Sequence, residues 1–433
     1  MGAFSFALDL TEGQPQGHSL RACWIACAIA SSMGVKGEDL RTVFYTAMLK
    51  DLGCSSNAAR VAEVYLADDR SFKHDFKLIG DGIGPALRFV FSRTGRGQKL
   101  SRRGGAILNI LRNGPQIVDS MIEARCTRGA QIARMLRFPE TVASAIFHLD
   151  EHWDGGGRPD HLEGEAIPLA SRLALLGQVA EVFFANAGPD AARREVSRLS
   201  GAWLDPELCR DFELLSRSEC FWRDLESTAL PERMGALMPE EASVPVDEDY
   251  LDDITAAFGQ VIDAKSPYTA GHSERVGDYA VILGQAMGIG PAPLRALRRA
   301  AVLHDVGKLG VSSTILEKPG KLDADEWHVM RGHAGQTAQI LSRISPLRDM
   351  AKVAAAHHER LDGKGYPLGL DESQLVMEAR IISACDFYDA LTADRPYRAA
   401  MSVHQAFEIM GKEAGRAIDA DCFSVLREAV GGN

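Results

Sequence analysis

The sequence predicts a helical protein built from two related domains, and three observations support this prediction. Apolar residues recur at helical spacing over residues 20–33 and 165–185. The segment GHSLRACWIACAIASSMGV (17–35) aligns without a gap with GHSERVGDYAVILGQAMGI (271–289), which indicates an internal repeat. A chain of 433 residues also exceeds the size at which one hydrophobic core keeps growing, so two domains are expected.

The repeat continues along both halves, with one change of register. An offset of 254 residues persists to KDLG (50–53), which stands opposite HDVG (304–307). Farther on, DGGGRP (154–159) stands opposite DGKGYP (362–367) at an offset of 208. The first copy is therefore 46 residues longer, the difference between the two offsets, and we place its extra residues around 70–105.

The segment between the two copies has the composition of a linker. Residues 216–250 contain Pro231, Pro239 and Pro245, together with several acidic residues between 240 and 249. We therefore expect a first domain over residues 1–215, a linker over 216–250 and a second domain over 251–433.

The second copy contains seven residues able to bind hard or borderline metal ions, namely His272, His304, Asp305, His333, His357, His358 and Asp386. A single histidine on a helix is more often an ordinary hydrogen-bonded residue, but five of the seven histidines between 272 and 404 belong to this set. The carboxylate of Asp305 has two oxygens with which to bridge neighbouring cations. Mixed imidazole and carboxylate ligands suit iron, manganese or zinc rather than calcium. The pattern therefore predicts a two-metal hydrolytic centre.

Three stretches of the second copy carry a family resemblance: AVLHDVGKLGV (301–311), HHERLDGKGYP (357–367) and ACDFYDALTADRPYR (384–398). Over about residues 251–425 the chain resembles the HD-GYP class of HD-domain phosphohydrolases. The resemblance implies an all-α fold with two tandem HD-type helical domains, the first of them degenerate. It also implies hydrolysis of cyclic di-GMP to linear pGpG, or further to GMP, by a hydroxide that bridges two metal ions.

Position by position, the resemblance assigns the ligands to two ions. One ion would be held by His272, His304, Asp305 and Asp386. The other would be held by Asp305, His333, His357 and His358, which makes Asp305 the bridge. Some relatives hold a third metal with a Glu four residues before the first His, where this chain has Tyr268, so two ions are expected. The resemblance favours iron or manganese.

Four further residues are candidates for binding the substrate: Lys308, Tyr366, Arg395 and Arg398. The ammonium of Lys308, one turn after His304, could reach a phosphate or protonate the leaving oxygen, which makes it a catalytic candidate beside Asp305. Its alternative is an ordinary surface lysine. The family uses the two arginine positions for the second phosphate or guanine. Alternatively, Arg395 pairs with Asp394 or Asp389.

The loop that contains Tyr366 has a separate interpretation. In the family this loop borders the active site and is implicated in contacts with diguanylate cyclase domains, so such domains are candidate partners. The alternative is a tight turn in which Tyr366 packs on its own domain.

The first copy lacks most of the ligands. His18 and Asp51 stand opposite His272 and Asp305. At the other positions the first copy has Lys50, Arg125, Leu149, Asp150 and Gln178. A lysine cation repels a metal ion, and two surviving ligands cannot hold a dinuclear site. We therefore expect a metal-free domain that regulates, binds a partner or supports the structure.

Composition excludes some classes of function. A net charge of −11 argues against a nucleic-acid groove as the main site. Eight scattered cysteines without a CxxC pair fit a reducing cytoplasm. No apolar run reaches the roughly 18 residues of a membrane span, so we expect a cytoplasmic protein without a membrane partner. Two alternatives to cyclic di-GMP hydrolysis remain: another cyclic dinucleotide, such as 3'3'-cGAMP, or a non-catalytic cyclic dinucleotide sensor.

Overall fold

The computed structural model describes residues 2–78, 83–237, 246–395 and 398–431. These residues form helices joined by loops, with isolated β-bridges and no strand among them. The predicted all-α class is confirmed for this part of the chain. The chain divides into two compact units, the first from Ala3 to Asp247 and the second from Glu248 onward.

The first unit contains α1 (Gly2–Thr11), α2 (His18–Ser32), α3 (Gly37–Leu49), α4 (Ala58–Tyr65), α5 (Asp69–Phe76), α6 (Ile83–Arg93), α7 (Leu100–Met135), α8 (Glu140–Phe147), α9 (Leu169–Ala187), α10 (Pro189–Leu199), α11 (Pro206–Ser216), α12 (Glu219–Glu226) and α13 (Leu230–Ala236). The second unit contains α14 (Glu248–Asp263), α15 (His272–Ala286), α16 (Pro291–Leu303), α17 (Ser313–Leu316), α18 (Ala324–Leu341), α19 (Met350–Ala355), α20 (Met377–Thr392), α21 (Val403–Glu413) and α22 (Ala420–Gly431). A 3-10 segment, Val306–Gly310, connects α16 to α17.

Both units begin their repeated part with the same local structure. Helices α2 and α15 each follow a glycine in the left-handed region, Gly17 with φ 86° and Gly271 with φ 69°, which glycine enters without strain. Asp9 and Asp263 each accept hydrogen bonds from the backbone N–H and hydroxyl of the serine at the second position of the helix. The first histidine of each copy is thereby placed at the start of its helix with a buried side chain.

Close backbone contacts fix the change of register. A Cβ atom at Gly307 would lie 1.9 Å from the carbonyl oxygen of His333, and a Cβ at Gly53 would lie 1.9 Å from that of Arg125. Only glycine permits this approach of the chain to α18 and α7. Arg125 therefore stands where the second copy has His333, and the extra residues of the first copy lie between 53 and 125.

The longer segment between Gly53 and Arg125 forms helices with a core of their own. Helices α4 to α7 share an apolar cluster formed by Val61, Val64, Tyr65, Phe72, Phe89, Ile110 and Ile117. Burial of such side chains stabilises each by roughly 1.5–3 kcal/mol. The insertion is therefore a folded addition to the repeated domain.

The segment expected to be a linker is partly helical. Helices α12 and α13 lie within residues 216–250 and bury Phe221, Trp222 and Leu230. The Trp222 ring lies 6.1 Å from the ring of Phe212 on α11. Prolines and acids suggested a linker, but these aromatic side chains pack on the first unit. Residues 238–245 lie outside the described part, and the boundaries at 215 and 250 stay a prediction.

In the second unit, α15 packs against α16 and α20, and α18 packs against the 3-10 segment and α19. The helices bury Val276, Leu283, Val302, Ile340 and Ile382 completely. This core fixes the helix ends that carry the predicted metal ligands.

Candidate metal centre

Three predicted ligands meet where α15, α16 and α20 come together. His272 begins α15, His304 directly follows α16, and Asp386 lies in α20. Asp386 Oδ1 lies 3.4 Å from His272 Nε2 and 3.7 Å from His304 Nε2. Their ligand atoms lie within 4.8 Å of one another, as expected when each is about 2.0–2.2 Å from a shared ion.

A second cluster contains His333, His357 and His358, whose ligand atoms also lie within 4.8 Å of one another. Adjacent side chains within a helix point about 100° apart. Because α19 ends at Ala355, His357 and His358 follow a helix end, and both imidazoles turn toward His333 on α18. His357 Nε2 lies 3.2 Å from His333 Nε2.

Asp305 lies between the two clusters. Its Oδ2 atom is 3.4 Å from His272 Nε2 and 3.3 Å from His304 Nε2. Its Oδ1 atom is 3.4 Å from His333 Nε2 and 3.6 Å from His357 Nε2. One oxygen thus faces each cluster, which is the arrangement of a carboxylate that bridges two cations. The structure brings all seven predicted ligands together.

The unpaired atoms of this cluster fit metal ions. His272 Nε2, His304 Nε2 and Asp305 Oδ1 are buried and have no hydrogen-bond partner among the described residues. A buried polar atom without a partner costs about 1–3 kcal/mol. Two divalent cations would satisfy all three atoms, so the donor set fits a dinuclear centre of the kind that imidazole and carboxylate ligands hold.

Protonation of these histidines is set by burial and by the carboxylates. Burial lowers the pKa of His333 to about 3 and lowers that of His358 well below its usual value, so both imidazoles are neutral. Burial would also lower the pKa of His304, but the Asp305 carboxylate outweighs it and raises this pKa to about 10. Metal binding would therefore have to release the proton of His304.

A carboxylate and a guanidinium behind His272 were not predicted from the sequence. His272 Nδ1 donates to Asp389 Oδ2 at 2.7 Å, and Arg275 donates to both Asp389 oxygens at 2.6 and 3.0 Å. Asp389 thereby keeps Nε2 of His272 directed at the other ligands. The first copy repeats the arrangement, because Glu181 pairs with both His18 and Arg21. That correspondence is the sequence signal that could have revealed it.

Asp389→Asn is expected to lower metal affinity about 10–100-fold, because the ring of His272 loses its charged acceptor. Titration against a competing chelator measures the change. The control is Asp278→Asn, since Asp278 is an exposed residue of α15 that pairs with Arg298. Equal affinities in the two variants would show that Asp389 does not orient the ligand.

Lys308 and Tyr366 both lie at the cluster. The Lys308 ammonium hydrogen-bonds to Asp305 Oδ2. Lys308 lies on the 3-10 segment rather than on an α-helix. The Tyr366 ring lies 4.8 Å from the ring of His358, and the Arg331 guanidinium lies 5.5 Å from the centre of the Tyr366 ring. Tyr366 therefore packs on its own domain and borders the ligands at the same time. Arg331 is a neighbour that the sequence did not reveal.

The two arginines of the DRPYR segment are not equivalent. Arg398 donates through Nη1 to Leu391 O at 2.8 Å and through Nη2 to Ala390 O at 2.6 Å, so it caps the end of α20. This contact engages the guanidinium that the sequence suggests for a phosphate. Arg395 and Arg398 are joined by backbone hydrogen bonds of 2.8 and 3.1 Å. Asp389, an alternative partner for Arg395, is instead held by His272 and Arg275.

The loop over 362–370 is held by a buried carboxylate. Glu359 accepts hydrogen bonds from Leu368 N at 2.7 Å and Leu370 N at 3.0 Å. A Cβ atom at Gly365 would lie 2.4 Å from Glu359 Cα, which explains why the turn needs glycine there. Glu151 holds the equivalent loop of the first unit in the same way.

Cationic side chains stand at the equivalent positions of the first unit. Lys50 Nζ lies 3.0 Å from His18 Nε2 and bonds to Asp51 Oδ2, while Lys77 Nζ lies 3.5 Å from Asp51 Oδ1. Arg125 Nη2 donates to Asp150 Oδ1 at 2.6 Å, where the second unit pairs His333 with His358. These ion pairs support the prediction of a metal-free domain, which stays a prediction.

One further group in the first unit has metal-ligand spacing, namely Glu12, Asp51 and Cys54. Lys77 and Lys73 lie 2.8 and 3.3 Å from the Glu12 carboxylate, and burial raises the pKa of the Cys54 thiol well above its usual value. Ammonium groups therefore already neutralise the carboxylates of this group, and the sulfur stays a thiol.

Within the described residues, no helix combines the length and apolar composition needed to cross a membrane.

Comparison with known proteins finds similarity in both units of the chain. A family model described as HD domain matches residues 105–202 and 257–422, one stretch in each unit. The chain is 46% identical over 430 residues to 3'3'-cGAMP-specific phosphodiesterase 3 of Vibrio cholerae serotype O1, covering 99% of this chain and 94% of that protein. A crystal structure described as a cyclic GMP-AMP specific phosphodiesterase of V. cholerae (V-cGAP3) aligns with a TM-score of 0.67 at 42% identity, over 99% and 96% of the two chains.

Other relatives match a smaller part. The cyclic di-GMP phosphodiesterase response regulator RpfG of Xanthomonas campestris pv. campestris is 33% identical over 187 residues, 43% of this chain and 50% of that protein. The 3'3'-cGAMP-specific phosphodiesterase 1 of V. cholerae is 34% identical over 238 residues, 54% of each chain.

Proposed function

This chain belongs to the HD domain family, in its HD-GYP class, and from that premise we propose that it is a metal-dependent phosphodiesterase that hydrolyses 3'3'-cGAMP to a linear dinucleotide. The observation that carries the proposal is the 46% identity to a 3'3'-cGAMP-specific phosphodiesterase over nearly the full length of both chains. The relative named for cyclic di-GMP matches less than half of this chain. The substrate preferred from the sequence alone, cyclic di-GMP, therefore becomes the second candidate.

The candidate ligands supply the chemistry that the reaction requires. Two divalent cations, iron or manganese by resemblance, would lower the pKa of a water molecule and neutralise charge on the phosphoryl oxygens. His272, His304 and Asp386 would hold one cation and His333, His357 and His358 the other. Asp305 would contact both. Two bound cations would compete with the Lys308 ammonium for the charge of Asp305 and would repel it, which would direct this ammonium toward the substrate phosphate.

Recognition of the bases is assigned to the surface beside the second cluster. Tyr366 lies against His358. The Arg331 guanidinium lies over the Tyr366 ring and also over the Trp327 ring, 5.7 Å from the centre of the Trp327 ring. Flat aromatic and guanidinium groups bind nucleobases by stacking. Arg395 remains a candidate for a phosphate, whereas the capping contacts of Arg398 favour a structural part for that residue.

Purified, metal-loaded protein is expected to convert 3'3'-cGAMP to a linear product with a kcat/KM about 10-fold or more above that for cyclic di-GMP, the discrimination that a few pocket contacts provide. Chromatography of products over a time course measures both rates. Protein stripped of metal by a chelator is the control. Equal rates, or faster hydrolysis of cyclic di-GMP, would contradict the proposed substrate. Tight binding without any product from either nucleotide would instead identify a sensor.

A further inference from the structure

The first unit contains a cavity of about 390 Å³, within the range of about 300–1,000 Å³ typical of small-molecule sites. Its wall includes Cys54, Arg125, Asp150 and Gln178. By the offsets of the repeat, these residues correspond to Lys308, His333, His358 and Asp386 of the second unit. The cavity therefore occupies the place of the metal pocket in the copy that has lost its ligands.

The insertion supplies much of the cavity wall. Val61, Tyr65, Phe72, Met121 and Ile122 line the cavity and come from the segment between Gly53 and Arg125, which is 46 residues longer than the segment between Gly307 and His333. In the register of the repeat Met121 and Ile122 stand opposite Val329 and Met330, whereas Phe72 lies where the first copy carries its extra residues. The degenerate copy thus has an apolar enclosure at the position where it lost metal ligands, which passive structural support does not require.

Charge is distributed unevenly over the wall. Four lining side chains are cationic, Lys73, Lys77, Arg125 and Arg158, and two are acidic, Glu12 and Asp150. Arg158 is also paired with Asp119 at 2.7 Å. The wall as a whole thus presents more positive than negative groups.

Lys73, Lys77 and Arg125 have more N–H donors than their ion pairs use. Lys73 donates to Cys54 O at 2.7 Å, both lysines contact the carboxylate of Glu12, and Lys77 also lies 3.5 Å from Asp51 Oδ1. Each ammonium has three N–H donors, and the Arg125 guanidinium has five, of which the Nη2 group donates to Asp150. An anionic oxygen placed here would receive charge-assisted hydrogen bonds.

We propose that this cavity binds an amphipathic organic anion, a fatty-acid carboxylate, with its head group at Lys73, Lys77 and Arg125 and its alkyl chain against Val61, Met121 and Ile122. An alkyl chain brings no polar atoms into the apolar part of the wall. A nucleobase would bring several donors and acceptors that this wall leaves unpaired, which is costly. At the cavity wall, Phe76 and Val118 are 53% and 36% exposed, so the apolar surface continues to solvent.

Dodecanoate, used below its micellar concentration, is the probe. Isothermal titration calorimetry with the full chain is expected to give saturable 1:1 binding, with dodecan-1-ol at least about tenfold weaker because it lacks the charged oxygens. Met121→Trp places a bulkier side chain in the cavity and is expected to weaken dodecanoate binding at least about tenfold. Leu108→Trp is the matched control, because Leu108 lies on the same helix, is 49% exposed and does not line the cavity.

A second variant tests the head group without leaving a lone buried charge. Gln is smaller than Arg, and the dodecan-1-ol measurement controls for the extra space. The double substitution Arg125→Gln with Asp150→Asn is expected to weaken dodecanoate at least about tenfold while dodecan-1-ol binding stays unchanged. Three results would overturn the proposal: no saturation, equal binding of acid and alcohol, or unchanged binding in Met121→Trp. A further result would overturn the proposal in favour of a nucleotide site. In that result 3'3'-cGAMP displaces dodecanoate competitively from the unchanged protein, and Met121→Trp abolishes this competition. Because binding is measured directly, none of these outcomes depends on the phosphodiesterase activity.

Discussion

Asp305→Ala is expected to remove metal binding and turnover together. Its two oxygens face different clusters, at 3.3–3.4 Å from His272 and His304 and at 3.4–3.6 Å from His333 and His357. Each cluster then loses a ligand and the charge that offsets its cation. Metal ions contribute several kcal/mol of transition-state stabilisation, so we expect kcat/KM to fall about a thousandfold or more. Elemental analysis of the purified protein and product chromatography measure the two effects.

Asp51→Ala is the matched control for this experiment. It makes the same substitution at the equivalent position of the first unit, where Lys50 and Lys77 contact the carboxylate. Metal content per chain should stay at the level of the unchanged protein, even where stability falls. A normal metal content in Asp305→Ala would refute the bridging role, and a loss of metal in Asp51→Ala would refute the assignment of the ions to the second unit.

The sequence predicted that the seven candidate ligands come together, because the spacing of the ligand pairs along the chain limits their geometry. His304 and Asp305 are adjacent, and His357 and His358 follow a short helix, so local geometry already limits where their side chains point. The repeat likewise predicted which first-copy residues replace ligands, and Gly53 against Arg125 O reproduces Gly307 against His333 O. The alignment of the two copies could be predicted because it needs only the sequence of this chain.

Contacts between distant segments could not be predicted in this way. Asp389 lies 117 residues from His272 and holds its ring, and the local sequence of either helix does not indicate that pairing, although the first copy retains an acid and an arginine at the same positions. Arg398 was expected to face a phosphate, but carbonyl groups at the end of α20 lie within its reach. The aromatic residues of α12 pack on the first unit in a segment whose prolines and acids indicated a linker. In each case a tertiary contact outweighed the local composition.

Lys50→Met is expected to destabilise the first unit by about 3–5 kcal/mol, the cost of removing one partner from a buried ion pair. Lys50 is 3% exposed and contacts both Asp51 and His18. Burial would raise the pKa of the Asp51 carboxyl, but the Lys50 and Lys77 ammonium groups outweigh it and hold this pKa well below its usual value. A depressed carboxyl pKa stabilises the fold above the unfolded pKa, and the contribution is lost as the pH falls through the folded value. Without Lys50, that stabilisation shrinks.

The size of the loss separates a structural ion pair from an incidental one. Calorimetric unfolding of the full chain, with hydrogen exchange to assign the transition to the first unit, should show its midpoint lowered by about 10 °C. Lys318→Met is the surface control, because Lys318 pairs with Glu326 in a partly exposed position and such pairs contribute about 0–1 kcal/mol. The double variant Lys50→Met with Asp51→Leu should regain part of the loss, since it leaves no lone buried carboxylate. If Lys50→Met unfolds at the same temperature as Lys318→Met, the lysine does not replace the charge of a metal ion in the degenerate copy.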